Sequence, residues 1–256
     1  MTLRVTILGC GSSTGVPRVG NDWGACNPNN PKNRRRRCSL LVEKIGPEGR
    51  TIALIDTSPD LREQLLSAEV KRLDGVIYTH DHADHTHGID DLRILAYAQR
   101  RRIDVWAEPR TLGLLKHRFD YCFETPPGSS YPAIVTAHIV TNLAPITISG
   151  PGGDLTFQPF RQIHGDIDTL GLRTEGLAYS CDLNDLPEDS LPHLRNLDVW
   201  ILNTLRYNPH PSHLTLGEAL EWIDRMRPKR AVLTHLHIDL DYDELSAKLP
   251  PGVEPA

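Results

Sequence analysis

Residues 80–85 read His-Asp-His-Ala-Asp-His and place four side chains of metal-liganding type within six positions. The apolar stretch 75–78 before them is typical of a buried strand. His80 and His82 are two positions apart and can point the same way, and a turn can bring the other two ligands beside them. These donors suit zinc and manganese. Because one ion takes about three or four protein ligands, this run plus ligands elsewhere indicates two ions. A histidine-rich loop without metal is the alternative.

Composition favours a globular enzyme over a nucleic-acid binder. The 256 residues carry 28 Lys and Arg against 33 Asp and Glu, so the net charge of −5 argues against a generally basic surface. The start of the chain lacks a signal-peptide pattern, and no stretch approaches the roughly 18 apolar residues of a membrane helix. Five cysteines without a C-x-x-C pair suit reduced thiols. We expect a cytoplasmic protein that does not associate with membranes.

Strand and helix patterns alternate along the chain without a linker or repeat. One helix is expected to begin at Pro59 with Ser58 as its cap, and another to open with a capping box of Thr215 and Glu218. This alternation predicts a single layered α/β domain over residues 1–256. Several strand patterns end next to a His, Asp or Asn, namely 51–55, 75–78, 177–180, 199–202 and 231–234.

The order of these motifs resembles that of the metallo-β-lactamase superfamily. The run at 80–85 matches the H-x-H-x-D-H signature, and the other motifs occur in order at Asp56, His164, Asp182 and His235. Each of these residues follows or ends a strand pattern. The resemblance covers residues 3 to about 238 and implies an α/β fold, the four-layer αββα sandwich, with metal ions at the mouth between its two sheets.

The resemblance also implies a ligand set for two divalent ions, zinc or manganese. Three residues would hold one ion, three would hold the other, and one would bridge both: His80, His82 and His164; Asp84, His85 and His235; and Asp182. A bridging carboxylate offsets the repulsion between neighbouring cations. Asp56 would orient a ligand histidine rather than bind metal.

Within the superfamily, the chain resembles the phosphoribosyl cyclic phosphodiesterase branch, an accessory of phosphonate breakdown, and more distantly ribonuclease Z. The loop 9–17 resembles the opening loop of these enzymes, and 34–39 resembles the cyclic phosphodiesterase branch. His213 stands where these phosphodiesterases place a histidine beside the phosphate. His213 is therefore a candidate general acid or phosphate contact, and a surface histidine at a helix start is the alternative.

The activity that the resemblance implies is hydrolysis of a small cyclic or nucleotide-like phosphodiester. A metal-bridging hydroxide would attack phosphorus, Asp84 would hold the attacking water, and His213 would donate a proton to the leaving group. Two alternatives stay open. The first is a metal-dependent thioesterase or lactonase, which need not depend on His213. The second is a nucleotide-binding protein with little turnover.

The chain also departs from its nearest branch. That branch holds a structural zinc with several cysteines, whereas the early loop here has only Cys26, with His237 as a distant partner. We therefore expect no structural zinc. No arm for gripping tRNA is recognisable, so a tRNA partner is not expected. The sequence leaves three questions open. They are whether the metal is zinc or manganese, whether the protein forms a homodimer, and whether the arginines at 34–37 contact substrate.

Overall fold

The computed structural model describes residues 2–256, which form a mixed α/β chain with two sheets. The chain divides into two compact units, which are residues 2–8 with Ser39–Thr156, and Gly9–Cys38 with Phe157–Ala256. The single domain expected for residues 1–256 stays a prediction. None of the helices in the described residues has the length and apolar character needed to cross a membrane.

The first sheet has six strands in chain order along the sheet. They are β1 (Thr2–Gly9), β2 (Ser39–Gly46), β3 (Gly49–Ile55), β4 (Gly75–Ile77), β5 (Ile103–Ala107) and β6 (Val135–Ile139). Strands β2 and β3 form an antiparallel hairpin, and β3 to β6 run parallel to one another. Five helices accompany them: α1 (Leu61–Ser67), α2 (Ala83–Thr86), α3 (Leu92–Gln99), α4 (Pro109–Arg118) and α5 (Asp120–Phe123).

Burial of apolar side chains explains this arrangement of the first unit. Leu54, Val76 and Val105 come from three neighbouring parallel strands and are fully buried in one cluster with Leu61 and Leu92 of the helices. Because both faces of a parallel sheet are usually covered, its strands read as continuous apolar runs. Because β3 and β4 run parallel, their carboxyl ends lie at the same edge of the sheet. There the backbone N–H of residue 56 donates to the carbonyl of residue 77 at 2.9 Å.

The other sheet has seven strands, in the order β13-β12-β11-β10-β9-β8-β7. They are β7 (Ile146–Ile148), β8 (Leu155–His164), β9 (Ile167–Thr174), β10 (Leu177–Ser180), β11 (Val199–Asn203), β12 (Arg230–Thr234) and β13 (Val253–Pro255). Strands β8 to β10 are antiparallel, whereas β10 to β13 are parallel. Two helices follow them in the chain, α6 (Leu216–Met226) and α7 (Tyr242–Lys248).

Helix α6 begins as the sequence predicts. The Thr215 side chain accepts from the backbone N–H of Glu218, and the Glu218 carboxylate accepts from the backbone N–H of Thr215. This reciprocal pair satisfies two N–H groups that would otherwise lack partners. Leu216 and Ala219 are buried from the same helix, and Ala219 packs in a cluster with Trp200 of β11.

Helix α1 begins later than the sequence predicts. Its first residue is Leu61 rather than Pro59, and Ser58 is not its cap. The Ser58 hydroxyl instead accepts from the backbone N–H of Asp60 and donates to the Gln64 side chain. A serine that bonds to nearby backbone offers the chain a local turn in place of the first helical turn.

Candidate metal centre

The run at 80–85 follows β4 directly and bends into the short helix α2. The rings of His80 and His82 are 4.5 Å apart, and those of His80 and His85 are 4.4 Å apart. The Asp84 carboxylate lies 3.4 Å from Nε2 of His85. Backbone bonds hold this run against the end of β3, since Thr57 N–H donates to the carbonyl of His85 at 2.8 Å. The structure thus brings the four candidate ligands of the first unit together.

A glycine closes the same segment because the backbone passes too close for a side chain. A Cβ at Gly88 would lie 2.0 Å from the carbonyl oxygen of Ser58. The Gly88 N–H also donates to the Thr57 carbonyl at 2.9 Å. The turn after the ligand run therefore requires glycine at this position.

Asp56 orients two of the candidate ligand histidines of the first unit, one directly and one through Thr79. Its buried carboxylate accepts from the N–H and the hydroxyl of Thr79, both at 2.8 Å, and from Nδ1 of His85 at 2.8 Å. Burial raises the pKa of Asp56 above its ordinary value, although the charge of His85 and these hydrogen bonds oppose the rise. Because the Thr79 hydroxyl already donates to Asp56, it accepts from Nδ1 of His80 at 2.9 Å. Both rings then keep the Nε2 lone pair that a metal ion needs.

The second unit places three candidate ligands at the ends of β8, β10 and β12. One Asp182 oxygen lies 3.7 Å from Nε2 of His164, and the other lies 3.4 Å from Nε2 of His235. All three side chains are buried. The Nδ1 of His164 donates to the carbonyl of Ser212 at 2.5 Å, which leaves its lone pair on Nε2. A carboxylate with one oxygen toward each imidazole is suited to bridging two cations.

His213 packs directly against these histidines and is not a surface residue at a helix start. Its ring centroid is 4.6 Å from that of His164 and 4.5 Å from that of His235, on which it stacks. Burial, assisted by the charge of His235 and opposed by that of Asp182, lowers the pKa of His213 to about 2. The metal-free chain therefore holds a neutral ring at neutral pH, which can donate a hydrogen bond but carries no extra proton.

Two residues beside the motifs lie apart from this arrangement. His87 is exposed and packs edge-on against Phe119, with ring centroids 5.4 Å apart. Cys181 is buried against the thiol of Cys38, and burial raises its pKa well above the ordinary value. All five cysteines carry free thiols. Neither His87 nor Cys181 is among the candidate ligands.

Two arginines contact Cys26 and His237, the residues that the sequence analysis compared with a structural zinc site. The buried Arg35 guanidinium donates to the Leu240 carbonyl at 2.7 Å and lies 3.8 Å from the Cys26 sulfur. The guanidinium of Arg18 contacts Nε2 of His237. Within residues 2–256, neither Cys26 nor His237 belongs to a cluster of metal-ligand type. Arg35 therefore has a structural role, whereas sequence left the role of this arginine run open.

Sequence reasoning missed the residues that set the orientation of the histidines. Thr79 lies between the strand pattern 75–78 and His80, and Ser212 directly precedes His213, but no sequence pattern assigned either residue a role. Asn203 was noted only through the polar residues at strand ends, yet its side chain lies 3.2 Å from Nδ1 of His213. Proximity in the chain to a candidate ligand was the available signal for Thr79 and Ser212.

Seven described residues offer atoms of metal-ligand type in clusters that could hold an ion. They are His80, His82, Asp84 and His85 of the first unit and His164, Asp182 and His235 of the second. Imidazoles and carboxylates without thiolates are a donor set for borderline divalent metals. The residues therefore fit the kind of metal that the motif order implies.

A family model described as a beta-lactamase superfamily domain matches residues 51–236. The chain belongs to the beta-lactamase superfamily. This match spans all seven candidate ligands, and it confirms the superfamily and the α/β, metallo-β-lactamase-like fold class predicted from motif order. The superfamily match and the seven candidate ligands together support the binding of divalent metal ions by this chain.

Three relatives show what this superfamily member is similar to. It is 35% identical to a diphosphatase from the PhnP family, and it matches the crystal structure of that protein with a TM-score of 0.88 over 100% of this chain and 95% of that chain. It is 35% identical over 254 residues to an octanoyltransferase of Porphyromonas gingivalis (strain ATCC BAA-308 / W83). That match covers 98% of this chain but only 49% of the relative. The human short-form tRNase Z shares the fold, with 17% identity, a TM-score of 0.64, and coverage of 92% of this chain and 93% of that chain.

Proposed function

We propose that this chain is a dinuclear metal-dependent phosphodiesterase that acts on a small cyclic or nucleotide-like phosphodiester. The observation that carries the proposal is the Asp182 carboxylate, which directs one oxygen toward His164 and the other toward His235 while His213 packs against both histidines. A histidine with only a structural role would not need a carboxylate and further imidazoles packed around it.

The proposed ligand sets follow the superfamily order. Three residues would hold one ion, three would hold the other, and one would bridge: His80, His82 and His164; Asp84, His85 and His235; and Asp182. Bound zinc or manganese would supply Lewis acidity and a water of lowered pKa. The hydrogen bonds from Nδ1 of three of these histidines support the set, because each leaves Nε2 as the lone-pair nitrogen.

The side chains have separate tasks in this proposal. Asp84 accepts a hydrogen bond from the attacking water and so orients it toward phosphorus. His213 donates a hydrogen bond to a phosphoryl oxygen, where negative charge builds as the reaction proceeds. We assign His213 the phosphate contact, one of the two roles expected from sequence, because its ring packs against His164 and His235 at the proposed metal centre.

Hydrolysis of a disubstituted diphosphate is a second candidate. The observation that favours it is the 35% identity to a PhnP-family diphosphatase of which this chain covers 95%. A phosphorus atom in such a diphosphate carries one negative charge, one ester oxygen and one anhydride oxygen. A phosphodiester carries the same charge with two ester oxygens, so the same side chains could serve both reactions. The octanoyltransferase relative offers weaker support for acyl chemistry, since the chain matches only 49% of it.

A substrate screen with the metal-reconstituted protein tests the proposal. The panel comprises an aryl phosphodiester, ribose cyclic phosphates, 2′,3′- and 3′,5′-cyclic nucleotides, disubstituted diphosphates and acyl thioesters. We expect turnover of phosphodiesters, diphosphates or both. Turnover confined to thioesters, or nucleotide binding without any hydrolysis, would contradict the proposal.

Two variants test the assigned residues against the substrate that the screen selects. Asp182→Ala should lower kcat by at least about 100-fold, because metal ions contribute several kcal/mol to such reactions. His213→Gln should lower kcat by about 100- to 1,000-fold without changing metal content, as expected for the loss of one well-placed hydrogen bond to developing charge. The matched controls are Asp185→Ala and His117→Gln, both at exposed positions, which should retain activity. Full activity in Asp182→Ala would exclude the bridging role.

A further inference from the structure

Asn203 is the last residue of β11, and its side chain is fully buried. The amide makes two contacts with consecutive residues that precede helix α6. Its Oδ1 accepts from the backbone N–H of Leu214 at 3.0 Å. Its Nδ2 lies 3.2 Å from Nδ1 of His213. One buried amide thus joins the end of a strand to the histidine proposed to contact phosphate.

The chemistry of these groups determines the direction of each hydrogen bond. The backbone N–H of Leu214 can only donate, so the atom of Asn203 that faces it must be the oxygen. The amide nitrogen then faces His213, and an NH₂ group can only donate. The Nδ1 of His213 must therefore accept. A neutral imidazole that accepts at Nδ1 carries its proton on Nε2.

Three candidate ligand histidines have the opposite arrangement. The Nδ1 of His85 faces the Asp56 carboxylate, and the Nδ1 of His164 faces the Ser212 carbonyl. The Nδ1 of His80 faces a hydroxyl that already donates elsewhere. All three rings donate from Nδ1 and keep their lone pair on Nε2. The hydrogen-bond partner at Nδ1 therefore distinguishes these three rings, whose Nε2 is suited to binding metal, from the His213 ring, whose Nε2 is suited to donating a hydrogen bond.

We propose that Asn203 is a positioning residue that holds His213 as the Nε2–H tautomer, so that this ring donates to a substrate phosphoryl oxygen instead of competing for a metal ion. The identity of the acceptor rests on the proposed function. The tautomer rests only on the contacts of Asn203, His213 and Leu214, so the two can be tested separately.

Nitrogen-15 NMR of the imidazole side chains tests the tautomer in the wild-type protein. Spectra of the metal-free and metal-loaded protein should show a protonated Nε2 and an unprotonated Nδ1 for His213. The ring is assigned by the signals that disappear in His213→Gln. A proton on Nδ1 of His213 in the wild type would overturn the inference, whatever the substrate screen finds.

Asn203→Asp tests the role of the amide with a nearly unchanged shape. A carboxylate accepts from both Leu214 and His213, so Nδ1 of His213 should become protonated. We expect kcat/KM for the selected phosphate substrate to fall at least tenfold, with metal affinity unchanged. Asn208→Asp is the matched control, since it adds the same charge at an exposed position of the same segment and should change neither measurement.

The possible outcomes separate this inference from the proposed function. If Asn203→Asp keeps both the wild-type tautomer and the wild-type kcat/KM, the positioning role is excluded. If the wild type shows the Nε2–H tautomer but hydrolyses no phosphate ester, the proposed function fails and the assignment of the tautomer stands. If Asn203→Asp does not fold, the wild-type spectrum still decides the tautomer.

Discussion

At the residue scale, two candidate site residues lie at backbone angles that side chains normally avoid. Asp56 has φ of 62° and His235 has φ of 61°, and both directly follow a parallel strand. A non-glycine residue in this region costs on the order of 1 kcal/mol or more, and such strain is concentrated at functional sites. The left-handed backbone at residue 56 lets the Asp56 carboxylate reach Thr79 and His85.

Asp56→Asn should weaken metal binding without removing a proposed ligand. The amide supplies one acceptor where the carboxylate supplies two, so it cannot serve His85 and both groups of Thr79. Loss of a group that orients a ligand histidine typically weakens metal affinity by about 10- to 100-fold. Competition with a coloured chelator measures this change.

Asp90→Asn is the control for that measurement, since Asp90 is exposed and its carboxylate accepts a hydrogen bond from the Arg93 side chain. The control should bind metal as the wild type does. Equal metal affinity in Asp56→Asn and the wild type would show that the carboxylate does not orient a ligand.

At the element scale, the start of helix α6 follows directly after His213 and Leu214. Thr215→Ala removes the side-chain oxygen that accepts from the Glu218 N–H at 3.2 Å. Loss of such a cap costs about 1 kcal/mol of unfolding free energy. Urea unfolding should show this loss, and Thr141→Ala, at an exposed loop position, should stay within about 0.5 kcal/mol of the wild type. An unchanged stability in Thr215→Ala would contradict the stabilising role of the capping box.

The Asp241 carboxylate, at the start of helix α7, forms hydrogen bonds to the loop that contains Asn27 and Asn33. One oxygen accepts from the Asn27 N–H at 2.9 Å and the Asn33 side chain at 2.7 Å, and the other accepts from the Asp243 N–H at 3.0 Å. Burial raises the pKa of Asp241, but these hydrogen bonds outweigh it, so the pKa lies below the ordinary value. The charged form is therefore the one that the folded chain stabilises.

Asp241→Asn should cost about 2 kcal/mol of unfolding free energy at pH 7, as expected for hydrogen bonds to a charged group. The folded-state pKa is depressed, so the contribution is full above the unfolded-state pKa of about 4 and is lost as pH falls through the folded-state pKa. The difference between wild type and variant should thus shrink below about pH 4. Urea unfolding from pH 7 to pH 3 measures it, and a difference constant over that range would exclude a role for the charge.

At the scale of the whole molecule, the proposed metal ions should stabilise the folded chain by mass action. An ion present at 100 times its Kd adds about 2.7 kcal/mol if it binds only the folded state. For a chain of this size each kcal/mol raises Tm by about 2–4 °C. Chelation should therefore lower Tm by about 5–10 °C, and added zinc or manganese should restore it. A Tm that is the same with and without chelator would argue against resident metal ions.

The predictions that the structure and the comparisons confirm rested on patterns within short segments of the sequence. The run at 80–85 and the capping box at Thr215 and Glu218 each lie within a few residues, so their geometry depends little on the rest of the chain. The start of α1 was wrong because a local turn at Ser58 competes with a helix for the same backbone groups. Asn203 could not be assigned from sequence, because its partners are ten and eleven residues away and meet it only through the folded loop.

The amino-acid sequence by itself determined the superfamily and the α/β fold class and indicated a site for divalent metal, because liganding residue types and strand patterns are properties of short segments. The tertiary structure decided that Asp182 lies against both His164 and His235, and that His213 is a half-buried neighbour of both. It also decided which nitrogen of each partnered histidine accepts or donates. These facts depend on hydrogen-bond partners that folding brings together from separate strands, and no local pattern records them.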